Sequence, residues 1–175
     1  MRTLFKGGTV VSGQGTRPAD VLVEGVTISA VGTNLSASGA QIVDCAGKLL
    51  FPGFIDAHTH FDLAVAGTVT ADDFATGSRA ALRGGTTTVI DYAAPDKGET
   101  LAYGLAKWRE KAAGRCACDY GFHMTIDDWS EGISREMGEM VDHGIPTFKM
   151  YMTYPAMPTV RWSFRSCSAT ILLSS

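Results

Sequence analysis

The chain has 175 residues, a hydrophobic share of 45%, a charged share of 19% and a net charge of -3 at pH 7. These values describe an ordinary globular protein, either one domain or a small domain joined to part of a larger one. The charge leaves no basic footprint for nucleic acid or an anionic membrane surface, and no apolar run reaches the ~18 residues that a membrane span needs.

Residues 1–11 lack the apolar core and small-residue cleavage site of an export signal, so cytoplasmic is the default expectation for localisation. Cys45, Cys116, Cys118 and Cys167 make no framework, because Cys116-Ala117-Cys118 has the wrong spacing for a Cys-x-x-Cys redox or zinc motif. They read as thiols without a catalytic role.

Residues 1–52 are short β-branched runs divided by turns: 3–5, 9–11, 21–23, 26–31, 41–44 and 48–51. Gly7-Gly8, Ser12-Gly13 and Glu24-Gly25 are the expected turns. That interval of strands and glycine-containing turns predicts an all-β unit, a small β-sandwich segment. Pro52-Gly53 marks its end.

From Gly53 the texture changes to strands alternating with helices. Strands are predicted at 54–59, 86–91, 119–126 and 145–152, and helices at 72–83, 99–113 and 133–143. Gly84-Gly85, Gly114 and Gly144 supply the helix stops. A β-α-β-α-β-α-β series implies a parallel sheet. A doubly wound sheet would carry a glycine-rich turn after its first strand. Here His-Thr-His-Phe-Asp stands in that place, which favours the first four strands of a (β/α)8 TIM-like barrel with its site at the strand C-termini.

Two features carry chemistry. His58 and His60 are one residue apart at the end of the first barrel strand, so their side chains share a face. Such a pair either holds a metal ion through neutral imidazoles or simply closes a strand with polar residues. Lys149 is the second feature, a lysine inside the apolar and aromatic run Phe148-Lys149-Met150-Tyr151-Met152. Burial disfavours its ammonium, so it takes a salt-bridge partner or reacts as a neutral amine. A neutral amine takes up carbon dioxide to give a carbamate long enough to bridge two cations, as in centres whose ions are ~3.5–4 Å apart.

Of the remaining polar residues, His123 is expected to be a hydrogen-bonded core histidine. Asp91, at the end of the second barrel strand, either supports the metal site from behind or serves the core. Asp127-Asp128 is expected to begin a solvated loop.

Residues 48 to about 156 resemble the amidohydrolase superfamily, and within it the D-hydantoinase/dihydropyrimidinase family of cyclic amidases. The resemblance is carried by Pro52-Gly53-Phe54-Ile55-Asp56-Ala57-His58-Thr59-His60, by Ala71-Asp72-Asp73-Phe74 through Gly84-Gly85-Thr86-Thr87-Thr88-Val89-Ile90-Asp91, and by Phe148-Lys149-Met150-Tyr151-Met152-Thr153-Tyr154. It implies two divalent metal ions, zinc by family habit, bound by His58 and His60 and bridged by Lys149 as N6-carboxylysine with carbon dioxide as co-reactant. Tyr154 would donate a hydrogen bond to the oxyanion. The reaction implied is hydrolysis of the ring amide of a hydantoin or dihydropyrimidine to an N-carbamoyl amino acid, and the implied assembly is a homotetramer. Phe61-Asp62-Leu63-Ala64-Val65 has no cation to meet a substrate carboxylate, which separates the chain from dihydroorotases and allantoinases.

A full barrel takes ~250 residues, and the two further metal histidines and the late aspartate base of the family have no counterpart here. Residues 158–175 leave the family pattern and read as an aberrant tail with no assigned structure. The expected organisation is therefore a β-sandwich segment at 1–52, the first half of a barrel at 53–157, and the tail. The expected function is a truncated cyclic amidohydrolase, inactive alone. The alternative is a non-catalytic assembly or interaction module on the same scaffold.

Overall fold

The computed structural model describes residues 1–151 and, for the backbone, 168–172. The chain divides into two compact units, Met1–Phe54 and Ile55–Ser175.

The first unit is one five-stranded sheet of β1 (Arg2–Ser12), β2 (Gly15–Glu24), β3 (Thr27–Gly32), β4 (Gln41–Asp44) and β5 (Leu49–Leu50). Its order is β3-β2-β1-β4, with β5 also paired to β1. The hairpins β1–β2 and β2–β3 are antiparallel, whereas β4 and β5 run parallel to β1. Gly7-Gly8 is not a turn. The strand continues through it, with a register shift between Phe5 and Gly8 and with Gly7 at φ 75°. Asp20 explains why the chain bulges there rather than folding back, since its Oδ1 accepts from Gly7 N at 2.8 Å while Oδ2 accepts from Leu35 N at 3.1 Å.

The second unit contains β6 (Phe54–Thr59), the short hairpin β7 (Ala64–Val65) and β8 (Thr68–Val69), α1 (Phe74–Arg83), β9 (Thr86–Ala93), α2 (Leu101–Ala112), β10 (Asp119–Ile126), α3 (Glu131–Asp142), β11 (Thr147–Tyr151) and β12 (Ser168–Leu172). The main sheet has the order β12-β11-β10-β9-β6, with β9, β10 and β11 mutually parallel. The predicted β-α-β series is thus a mixed α/β fold with a parallel, half-barrel sheet. All three helices start where local chemistry dictates. Asp73 and Thr76 form a reciprocal capping box for α1, while the hydroxyls of Thr100 and Ser130 cap α2 and α3, each cap contributing about 1 kcal/mol. The Ser130 cap moves the start of α3 two residues ahead of the apolar periodicity that predicted it.

Phe74, Leu105, Trp108, Met124, Met140 and Phe148 are fully or nearly fully buried within one core cluster of this unit. The hairpin β7–β8 was not legible in the sequence, because its two-residue turn is Ala66-Gly67 at φ 50° and 76° rather than an Asn-Gly or Asp-Gly pair. Residues 158–175 were expected to carry no structure, yet Ser168–Leu172 within them pairs antiparallel with β11. An unpaired strand edge accepts any segment of adequate β-propensity, and Thr170-Ile171 is β-branched. Among the described residues no helix is long and apolar enough to cross a membrane.

Candidate metal centre

β6 ends at Thr59, so His58 is its penultimate residue and His60 lies just beyond the last ladder position. The two rings meet edge to face, with centroids 5.0 Å apart and an interplanar angle of 87°. The alternation of the strand therefore delivers both imidazoles to one place. Lys149, on β11, is brought to the same place from 89 residues away, its Nζ lying 3.4 Å from His60 Nε2.

Tyr92, on β9, is the residue around which these three gather. Its ring lies 4.7 Å from the His58 ring and 5.1 Å from the His60 ring, and its hydroxyl is 3.4 Å from His58 Nδ1. Lys149 Nζ sits 4.3 Å above the same ring and 5.0 Å from that of Tyr151. The lysine is 5% exposed, and among the described residues no carboxylate forms a salt bridge with it. Aromatic faces take the place of the anion. Sequence reasoning passed over Tyr92; its only signal was adjacency to Asp91 at a strand end.

Burial, reinforced by the neighbouring Lys149 and His58, holds the His60 pKa below the ordinary histidine value, which keeps the ring neutral. That is the form able to bind a metal. His60 Nδ1 is buried without a hydrogen-bond partner. An orphaned ring nitrogen, a neutral imidazole and an adjacent lysine without a counter-ion fit the donor set of a divalent-metal centre. Among the described residues no three His, Cys, Asp or Glu side chains gather to hold an ion, so the set consists of two histidines and one lysine. Tyr154 lies outside the described residues.

Behind the histidines, Asp91 is completely buried and accepts four hydrogen bonds: from Thr59 Oγ1 at 2.9 Å, Phe61 N at 2.9 Å, Tyr92 N at 2.8 Å and Trp108 Nε1 at 3.0 Å. Burial raises its pKa and the four donors oppose the rise. His123 makes the expected hydrogen bonds but is half-buried rather than in the core, and its ring packs on Tyr92 with centroids 4.8 Å apart. Nε2 donates to the Ala57 carbonyl at 3.1 Å, and Nδ1 faces the Thr147 hydroxyl. The Cys116 and Cys118 sulfurs are 3.9 Å apart, and burial, with Cys116 beside it, pushes the Cys118 thiol up to about 11. That thiol is not a nucleophile at neutral pH.

A cavity of about 610 Å³ opens beside the centre, its lining including His60, Tyr92, Asp127 and Tyr151, the apolar Leu63, Val65, Pro95 and Trp108, and the charged Asp96, Lys107 and Lys111. Asp127 does not behave as a solvated loop residue. Its Oδ1 is buried without a partner, and its pKa is raised by burial and by Asp96, with Lys149 partly opposing. The end of β10 turns it inward, which composition alone could not reveal.

The fold and the paired histidines define a class, and comparison with known proteins agrees. The model of the Amidohydrolase family matches residues 49–126. A D-hydantoinase of Geobacillus stearothermophilus is 42% identical over 155 residues, which are 88% of this chain and 33% of that protein. A dihydropyrimidinase of Rattus norvegicus is 42% identical over 159 residues, 87% of this chain and 31% of that one. The crystal structure of dihydropyrimidinase from Brevibacillus agri NCHU1002 superposes with a TM-score of 0.86 at 41% identity, covering 89% of this chain and 34% of that chain. The chain is similar to the N-terminal region of D-hydantoinases and dihydropyrimidinases. It spans about a third of the length of the curated relatives it matches.

Proposed function

We propose that this chain carries the N-terminal half of the metal centre of a cyclic amidohydrolase acting on the ring amide of hydantoins or dihydropyrimidines. The observation that carries this reading is Lys149, buried without a carboxylate partner among the described residues and 3.4 Å from His60 Nε2. His58 and His60 would bind one divalent ion, zinc by family habit, and Lys149 as a carbamate would extend to a second. The ions, when bound, supply Lewis-acid polarisation of the ring carbonyl and activation of water at neutral pH. The protein's own residues do the rest. Tyr92 packs against both imidazoles and the lysine, the apolar and aromatic part of the cavity wall offers a surface for the ring, and Tyr154 supplies the oxyanion donor.

The same reading places the five-stranded sheet of the first unit as one layer of a β-sandwich, and the parallel sheet of the second as the start of a (β/α)8 barrel. It also includes the homotetrameric, cytoplasmic state implied by the family resemblance. The remaining ligands would come from outside the described residues, so the described part alone is expected not to turn over hydantoin or dihydrouracil. A purely structural assembly module would share the fold but would gain nothing from a buried lysine that has no carboxylate partner among the described residues, beside an imidazole whose Nδ1 has none.

The test is carbon-13 NMR of the purified chain in labelled bicarbonate, with zinc titrated by calorimetry. A carbamate resonance that disappears in Lys149→Arg, and zinc binding that disappears in His58→Ala with His60→Ala, support the reading. Absence of both signals from the folded wild-type chain overturns it.

A further inference from the structure

The hydrogen-bond ladder of β6 stops at Thr59, one residue before the second histidine. Beyond it the chain turns sharply, with Asp62 at φ 51°. A ligand placed past the end of a strand has no ladder to hold its backbone, and its ring orientation would drift with the loop. Here one carboxylate oxygen replaces the missing ladder. Asp91 Oδ2 accepts from Thr59 Oγ1 and from Phe61 N, both at 2.9 Å, so the residues on either side of His60 are tied to the same atom.

The other oxygen fixes the carboxylate itself. Asp91 Oδ1 accepts from Tyr92 N at 2.8 Å and from Trp108 Nε1 on α2 at 3.0 Å. Neighbouring residues of a strand face opposite sides. Asp91 thus holds the backbone around His60 from the helix side, while the Tyr92 ring holds the imidazoles from the other, 5.1 Å from His60. Thr59 is 8% exposed although the rest of β6 is exposed, which marks it as a post reaching inward to Asp91 rather than a surface residue.

We infer that Asp91 is the positioning residue of the histidine pair, fixing His60 through Thr59 and Phe61 so that both imidazoles converge before any metal arrives. The inference rests on the metal-centre reading for its purpose but not for its geometry. Carboxylates that orient ligands in this indirect way commonly matter 10–100-fold in metal affinity.

Four chains separate the possibilities: wild type, Asp91→Asn, Thr59→Val and Met140→Ala, each checked for folding by circular dichroism. Zinc affinity is measured by competition with a chelating dye, and, without metal, exchange of the Phe61 amide and the His60–Tyr92 ring contact are read by NMR. Asp91→Asn is expected to weaken zinc about 10–100-fold, speed Phe61 exchange and weaken the ring contact. Thr59→Val is expected to act in the same direction by less, and it carries the test if Asp91→Asn does not fold. Met140→Ala disturbs the same core from α3 but makes none of the bonds to Asp91 and does not line the cavity, so its zinc affinity should stay at the wild-type value. Equal losses in all three variants would mean a merely structural role and would overturn the inference. So would an unchanged ring contact and unchanged Phe61 exchange in folded Asp91→Asn. If wild type itself binds no zinc, the metal reading fails, while the two metal-free NMR readouts still decide the role of Asp91.

Discussion

Trp108 Nε1 donates to Asp91 Oδ1 at 3.0 Å, joining the middle of α2 to the end of β9 inside the core. The indole is 4% exposed and the carboxylate 0%, so no water stands ready to replace the bond. Trp108→Phe keeps most of the apolar volume and removes only the donor. The expected cost is about 1–3 kcal/mol of stability, because a buried acceptor loses a partner, measured as a lower urea midpoint with an unchanged m-value.

Lys149 is expected to be retained at the expense of stability. Holding an ammonium at 5% exposure costs several kcal/mol even after relaxation, of which each aromatic face returns about 2 kcal/mol. Lys149→Met should therefore raise the thermal midpoint, by on the order of 1 kcal/mol of stability, while removing any bicarbonate-dependent gain in zinc affinity. Calorimetric zinc titrations with and without bicarbonate, beside a melting curve, check both halves. A less stable Lys149→Met chain would show that the lysine has structural value.

Asp127 sets a pH dependence. Burial and Asp96 raise its pKa above the ordinary 3.8 despite the opposing Lys149. A raised carboxyl pKa means that the folded state binds the proton more tightly than the unfolded state. Its favourable contribution is therefore complete below the unfolded value and is lost as pH rises through the folded one. Above that window the ionised, unpartnered oxygen opposes folding. Asp127→Asn should raise stability near neutral pH, by about 1 kcal/mol, and the gain should vanish in acid below the ordinary carboxylate value. Denaturation curves of both chains across pH measure the crossover.

Gly77 is buried in α1 against Phe61, and a Cβ added there would fall on the aromatic ring. Gly77→Ala normally favours a helix by up to about 1 kcal/mol, but overpacking costs about 1–3 kcal/mol, so the net change should be destabilising. Phe61 also packs edge to face on Phe74, with ring centroids 5.4 Å apart, and cannot move freely. Because the Phe61 amide is one of the donors to Asp91, the displacement should also speed exchange of that amide.

Much of the second unit was legible from periodicity and punctuation. α1 and α2 begin at side-chain caps within two residues of the predicted starts, and β9, β10 and β11 fall on β-branched or apolar runs. Those signals are local, set by backbone geometry within a few residues. The Gly7-Gly8 bulge, the β7–β8 hairpin and the strand within the tail were not legible. The first depends on Asp20, thirteen residues away; the second uses a turn without the usual residues; the third depends on an open edge at β11.

The candidate centre divides in the same way. Strand alternation placed His58 and His60 on one face, and a lysine in an apolar run marked Lys149 as unusual; both follow from covalent order and solvation alone. Only the tertiary structure decided that they meet, that Tyr92 fills the space between them, and that Asp91 ties down the two residues flanking His60. Contacts across 89 residues for His60 with Lys149 and 32 for Thr59 with Asp91 arise from the order of strands in the sheet, which is a property of the packed sheet rather than of any one segment of the chain.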